Sequence, residues 1–249
     1  MVYRLKELEK VKKIFEGWDE TLIWSCLQNV IGNIYVTDSD NPESAVAVVG
    51  CFAFLSGVPN KELVTHDYGS FVILTPQNKE WADLIESSLP KAEKHTRYAI
   101  KKNTVFDKAS LQKKAGSLPE GYVIRRIDSD LYEECLGNPL FEDFVSAYES
   151  KEQYLAIGRG FAVIKNGKIV SGASSYSRYL DGIEIEVDTL EEERRKGLAS
   201  AVCSALILLC LDEGLYPSWD AANMESVKLA EKLGYEFSHK YNVYCVSRT

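Results

Sequence analysis

The fourteen residues from Leu198 to Leu211 read Leu-Ala-Ser-Ala-Val-Cys-Ser-Ala-Leu-Ile-Leu-Leu-Cys-Leu, apolar on nearly every side of a helix. A helix with no polar stripe has no face to give to water, so it must lie buried between a sheet and another layer. The residues ahead of it supply the sheet. Ile183, Ile185 and Val187 alternate with Glu184, Glu186 and Asp188, the two-residue period of a half-buried strand. Three acids on one strand face repel one another and raise one another's pKa, so that face needs water or a cationic partner. Between strand and helix lies Arg194-Arg195-Lys196-Gly197, a basic glycine turn that opens straight into Leu198, Ala199 and Ser200. Amides at a helix start are unpaired and sit at the positive end of the helix dipole. With Gly197 removing a Cβ and three cations adding charge, the turn is expected to bind a phosphate or diphosphate.

The rest of the chain supports a mixed architecture. Asn166-Gly167 between Phe161–Ile164 and Lys168–Tyr179 is the strongest hairpin signal present. Strands are expected at Tyr122–Ile127, Ile183–Thr189 and Tyr216–Ala221, with one or two over Tyr235–Val246. Helices are expected at Leu131–Leu136, Phe141–Tyr148, Leu198–Leu211 and Glu225–Leu233. This order predicts an α/β domain with a mixed, mostly antiparallel sheet flanked by helices. The first half predicts helices at Glu7–Phe15, Leu22–Val30 and Glu80–Ser88, β structure over Ala45–Leu55, and strands at Phe71–Thr75 and Thr96–Ile100. The polar, turn-rich stretch from Lys113 to Gly121 marks an expected boundary, giving an N-terminal α/β domain of 1–117 and a second domain of 118–249. Charge divides at the same place. Residues 1–117 carry 15 basic and 15 acidic side chains and the remainder 14 and 22, so the whole net charge of −8 falls in the second part.

That balance argues against duplex nucleic acid as a partner, because such binding rests on neutralising phosphates. The apolar stretch Ala45–Val58 is too short for a bilayer span and is broken by Gly50, Ser56 and Gly57. No apolar leader follows Met1-Val-Tyr-Arg-Leu-Lys-Glu, so a cytoplasmic protein without a membrane partner is expected. Cys26, Cys51, Cys135, Cys203, Cys210 and Cys245 form no Cys-x-x-Cys pair, and with only His66, His95 and His239 a metal site is not expected. His66-Asp67 has no nucleophile near it in sequence. There is no Gly-x-x-x-x-Gly-Lys-Ser/Thr loop. Gly158-Arg-Gly160 precedes a strand rather than opening a helix, and no Gly-x-Ser-x-Gly elbow exists.

A strand, then Arg194-x-x-Gly197-x-Ala199, then a buried helix resembles the acetyl-CoA motif of the GNAT N-acetyltransferase superfamily. Downstream, Trp219-Asp-Ala-Ala-Asn-Met-Glu-Ser226 and Leu229-Ala-Glu-Lys-Leu-Gly-Tyr235 resemble that family's second half-motif. The Gly-Leu-Ala and Tyr-Pro-Ser-Trp-Asp-Ala-Ala-Asn segments are most similar to a bacterial subgroup that includes the zwittermicin A resistance acetyltransferase. The resemblance covers residues 120–246 strongly and the first half more loosely.

It implies a GNAT-like fold and an acetyl-CoA-dependent N-acyltransferase that moves an acetyl group directly to a primary amine of a small-molecule acceptor. Backbone amides from Arg194 to Ser200 would hold the diphosphate, and the strand edge at Val187, Asp188 and Thr189 would pair with the pantetheine arm. Asn223 and Ser226 would contact pantetheine or adenosine. Glu186 and, next, Glu184 are the candidates for general base. Where many members carry a tyrosine general acid, this chain has Ala230, which leaves Tyr216, Tyr241, Tyr244 or an unassisted thiolate. Seven acids and no base from Asp181 to Glu193 favour a cationic acceptor. The other reading is a CoA-binding or ligand-sensing module without turnover. The first half is read either as a degenerate copy of the same fold, serving packing, lid or dimerisation, or as a unit shaping the acceptor pocket.

Overall fold

Gly50, at φ +53°, turns the β-rich run after Ala45 back on itself, so two strands stand where the composition reads as one stretch. A computed structural model describes residues 1–248. The first elements are β1 (Tyr3–Leu5), α1 (Thr21–Leu27), β2 (Asn33–Val36), β3 (Ser44–Val49), β4 (Phe52–Gly57) and α2 (Lys61–Thr65). Then come β5 (Phe71–Pro76), α3 (Lys79–Ser88), β6 (Glu93–Ile100), α4 (Lys108–Ala115), β7 (Tyr122–Arg126), α5 (Ser129–Leu136) and α6 (Lys151–Ile157). The chain continues with β8 (Gly160–Lys165), β9 (Lys168–Tyr179), β10 (Gly182–Thr189), α7 (Leu198–Asp212), β11 (Tyr216–Ser218) and β12 (Asp220–Ala221). It ends with α8 (Met224–Leu233) and β13 (Phe237–Ser247).

Two units result: residues 1–97 with residues 240–248, and residues 98–239. This division differs from the one expected at 117/118. Ile100 and Leu111 are buried in the core of the second unit, and β13 pairs with β5 through Tyr244↔Leu74 and Cys245↔Ile73. Of the polar stretch expected to be a seam, residues 113–115 close a helix, α4, whose Asp107 side chain caps it and whose Leu111 anchors it, and the rest is turn and coil.

In the first unit β1 to β4 pair antiparallel in sequence order, and β5 lies parallel to β4. Val46, Leu55, Leu74, Trp81 and Tyr244 fill its core. The Trp81 indole donates to the Gly57 carbonyl at 2.9 Å, which satisfies a buried donor. The expected helix at Glu7–Phe15 is a short 3-10 turn over Leu8–Val11. His66 packs its ring against Tyr35 and Tyr68, and the Asp67 carboxylate accepts the Gly69 amide.

In the second unit five strands run in the order β11-β10-β9-β8-β7, antiparallel except for β10 beside β11. Apolar residues of α7 and β10 share one core, with Ile183, Ile185, Val202, Cys203 and Leu206 at or near full burial. The expected helix at Phe141–Tyr148 is only a 3-10 turn at Glu142–Phe144. Its aromatic residues instead pack on β9, where a Cβ at Gly172 would strike the Phe144 ring at 2.4 Å. The expected strand Tyr216–Ala221 splits at Trp219. β11 joins β10, whereas β12 turns away to pair with Tyr98 and Ala99 of β6.

Candidate active site

That split leaves β10 half-exposed along one edge. β11 pairs with β10 only from Gly182 to Glu184, while β9 follows β10 on its other side as far as Thr189. A bulge at Tyr176 of β9, opposite Glu184 and Ile185, marks where β10 separates from β11. The Leu190 amide donates to the Val170 carbonyl at 2.9 Å, so the alternation of an antiparallel ladder turns the Val187 and Thr189 amides away from β9. The Val187 amide accordingly donates to its neighbour's carboxylate, Glu186 Oε1, at 3.2 Å. Glu184 is buried at 6% exposure, whereas Glu186 and Asp188 are half-buried. Burial first, and the Asp143 carboxylate second, push Asp188 up to about 6 against the opposing pull of Arg194.

Beyond Thr189 the chain makes a 3-10 turn at Glu191–Glu193 and then the basic turn. Arg195 at φ +63° and Gly197 at φ +85° are both left-handed, a reversal of hand that aims neighbouring amides into one concavity. The first α-helical bond of α7 runs from the Ala201 amide to the Gly197 carbonyl, and no side chain caps the helix start. The amides of Leu198, Ala199 and Ser200 are therefore the helix's unmatched donors. A Cβ on Gly197 would meet no protein atom within 4 Å, so packing does not demand glycine there; the backbone hand and the room for a group against those amides do. The Ser200 hydroxyl is buried without a protein partner. Together these donors line a cleft of about 600 Å³, walled by Thr189, Arg194, Arg195, Ala199 and Ser200 on one side. Glu225, Leu229 and Lys232 of α8 complete it. The arrangement suits a diphosphate, with backbone donors, an unpartnered hydroxyl and two exposed guanidiniums converging on open space.

The expected site residues thus fall into groups. Thr189, Arg194, Arg195, Gly197, Leu198, Ala199 and Ser200 share the cleft wall, and Val187 and Asp188 lead into it along β10. Lys196 turns aside to the Glu193 carboxylate at 2.7 Å. Asn223 caps α8, its carboxamide oxygen accepting the Ser226 amide at 2.9 Å, while the Ser226 hydroxyl accepts from the Trp219 indole at 3.0 Å. Ala230 is wholly buried in the core. Of the tyrosines considered as acid, Tyr216 donates to the Lys101 carbonyl at 3.4 Å and Tyr244 donates to Glu86 at 2.6 Å in the first unit. Glu225, Leu229 and Lys232 lie within the second half-motif but are not among the expected site residues, although their i, i+4, i+7 spacing places them on one helix face. Among the described residues no group of three or more His, Cys, Asp or Glu side chains could hold a metal ion, and no helix is long and apolar enough to cross a membrane.

A sheet opened at a splay, with a bared strand edge that runs into an uncapped, glycine-initiated helix, defines the GNAT class of fold. The chain belongs to the GNAT acetyltransferase family, whose model matches residues 12–244, and it is an N-acetyltransferase. It is 28% identical to the uncharacterized N-acetyltransferase YdfB of Bacillus subtilis (strain 168), over 96% of this chain and 95% of that one. A GCN5-related N-acetyltransferase-like protein from Streptococcus suis 89/1591 superposes with a TM-score of 0.92 at 48% identity, covering 95% of this chain and 97% of that chain. A tandem GNAT protein from the clavulanic acid biosynthesis pathway shares the fold, with a TM-score of 0.52 at 12% identity over 86% and 82% of the two chains. The family generally uses acetyl-CoA and acylates amines of small molecules or proteins.

Proposed function

We propose that this protein transfers an acetyl group from acetyl-CoA to a primary amine of a small, cationic acceptor by direct attack in a ternary complex. The observation that carries the reading is the start of α7, where the backbone amides and the Ser200 hydroxyl lack protein partners beside Gly197. In this reading the amides from Arg194 to Ser200 hold the diphosphate. The open edge of β10 at Val187 and Thr189 binds the pantetheine arm as an added strand. Bound acetyl-CoA supplies the activated acyl group as a thioester.

The Val187 amide polarises the acyl carbonyl, a donor aimed where negative charge develops. That amide now bonds Glu186 Oε1, so its engagement by the carbonyl releases the carboxylate to accept a proton from the acceptor ammonium. Glu184, more deeply buried, is the second candidate for that role. Asn223 and Ser226 contribute by fixing the start of α8, which carries Lys232 and Leu229 into the cleft. The acidic face of β10 and its Asp143 neighbour favour a cation as acceptor. Similarity to the zwittermicin-resistance subgroup in the segment Tyr216–Asn223 supports a small amino compound over a protein. The first unit, which has no counterpart of the basic glycine turn, is read as a degenerate copy of the fold without catalytic residues. The likeness of the chain as a whole in fold to a tandem GNAT protein supports that reading.

The test is calorimetric titration with acetyl-CoA, followed by a screen of amines for release of free CoA thiol. Saturable binding and amine-dependent release that favours basic acceptors are expected. Faster turnover of acidic acceptors would overturn the acceptor class, and binding without release from any amine would favour the sensing module.

A further inference from the structure

A second cleft of about 600 Å³ is lined by Glu134, Lys165, Lys168, Leu190, Glu192 and Glu193, and Glu193, the residue before the basic turn, stands in the walls of both clefts. The turn itself is exposed from Arg194 to Gly197 and contains two left-handed residues. Three adjacent cations repel one another, and left-handed backbone at Arg195 costs about 1–3 kcal/mol, so the loop needs an anchor to keep one shape.

Glu193 provides one. It is 7% exposed, although it ends a run that reads in sequence as solvated acids. Its Oε1 accepts from Lys165 at 2.8 Å, and its Oε2 accepts from Lys196 at 2.7 Å and from the Tyr122 hydroxyl at 2.5 Å. Tyr122 and Lys165 are direct cross-strand partners of β7 and β8, so the sheet register sets the two donors side by side, and Lys165 also bonds the Tyr122 hydroxyl at 3.0 Å. Lys165 first, then Lys196 and Tyr122, hold the Glu193 carboxyl down at about 2, so the anchor stays charged throughout the working pH range.

We propose that Glu193 is a positioning residue, a buried strut that ties the diphosphate-binding turn to β7 and β8 and takes Lys196 as part of the strut, leaving Arg194 and Arg195 as the cations that face the ligand. Removing Lys196 from the outward-facing set relieves repulsion within the turn, and clamping the residue just before it fixes the amides that follow. The inference rests on the reading of this turn as the CoA site.

The experiment compares wild type, Glu193→Gln, Tyr122→Phe, Lys196→Met and Arg195→Ala. It uses calorimetry with CoA over a range of salt, amide hydrogen exchange of residues 190–200 in the ligand-free protein, and the division of effect between KM and kcat. Glu193→Gln is expected to weaken CoA binding by roughly 10–100-fold, since displacement of a positioned group by about an ångström costs on that order. KM for acetyl-CoA should rise with it while kcat holds, and exchange of residues 190–200 should quicken without ligand. Tyr122→Phe leaves both lysines on the carboxylate and should show the same changes more weakly, which keeps the test decisive if Glu193→Gln does not fold. Arg195→Ala should flatten the salt dependence of CoA binding, and Lys196→Met should leave its slope intact while quickening exchange. Wild-type binding and exchange in the Glu193 and Tyr122 variants, or a salt slope lost equally in Lys196→Met, would overturn the strut while leaving the CoA site standing. Failure of the wild type to bind CoA would overturn the site itself.

Discussion

The two helices that follow β10 begin in opposite ways. α8 closes its own start: Asn223 lies in extended backbone, its carboxamide takes the Ser226 amide, and the Ser226 hydroxyl is held by Trp219. α7 leaves its start open, with Gly197 at φ +85° in the cap position and no side chain over the amides that follow. A capped helix has used its donors on itself and contributes a face; an uncapped one keeps its donors and dipole for a ligand. The difference explains why the cleft takes the open start of α7, its amides and the Ser200 hydroxyl, but only a side-chain face, Glu225, Leu229 and Lys232, from α8.

The largest effect that would break this contrast is at Gly197. Gly197→Glu places a carboxylate against amides meant for an anion. Loss of two charge-assisted hydrogen bonds at about 1.5–3 kcal/mol each would weaken acetyl-CoA binding by roughly 10²–10⁴-fold. Calorimetry beside a thermal melt checks it, and unchanged affinity in a folded variant would leave the open helix start without a ligand. Next is Glu186→Gln, expected to lower kcat by about 10²-fold while acetyl-CoA affinity stays near wild type, the pattern of a lost proton acceptor. An unaffected kcat would move the base to Glu184.

Asn223→Ala sharpens the contrast from the other side. It removes a cap and should cost about 1 kcal/mol of stability by denaturant unfolding, with little change in CoA affinity. A large loss of affinity without loss of stability would make Asn223 a ligand contact.

A further effect, on stability against pH, is at Asp188. A carboxyl whose folded pKa is raised contributes stability that is full below its unfolded value near 4 and is lost as pH rises through about 6. Asp188→Asn should therefore melt progressively higher than wild type as pH rises from 4 to 6, and then keep a constant margin. A margin that shrinks over that window would contradict the assignment of burial and Asp143 as the causes.

What could be read from the sequence follows the range of the interactions involved. Strand β10, the glycine turn and α7 are legible because alternation, a turn residue and an all-apolar helix are local patterns. The short elements are not. α4 hides in a lysine-rich stretch whose single anchor is Leu111, and α6, with its Ser150 cap and buried Tyr154, is too short for a clear period. Ala45–Leu55 and Tyr216–Ala221 each read as one stretch. Only pairing with partners distant in sequence shows the turn at Gly50 in the first and the change of sheet at Trp219 in the second. Glu193 is hidden for the same reason: its acidic neighbours say solvent, while its partners Tyr122 and Lys165 come from two paired strands separated by α5 and α6.

In the proposed function the start of α7 holds the diphosphate of acetyl-CoA. The direct measurement is a titration of ¹⁵N-labelled protein with CoA, following the backbone amides of Gly197, Leu198, Ala199 and Ser200. These signals are expected to move the most of any in the chain, downfield and saturably, and the Gly197→Glu variant to show none of it. Saturable binding that leaves these four amides unmoved would contradict it.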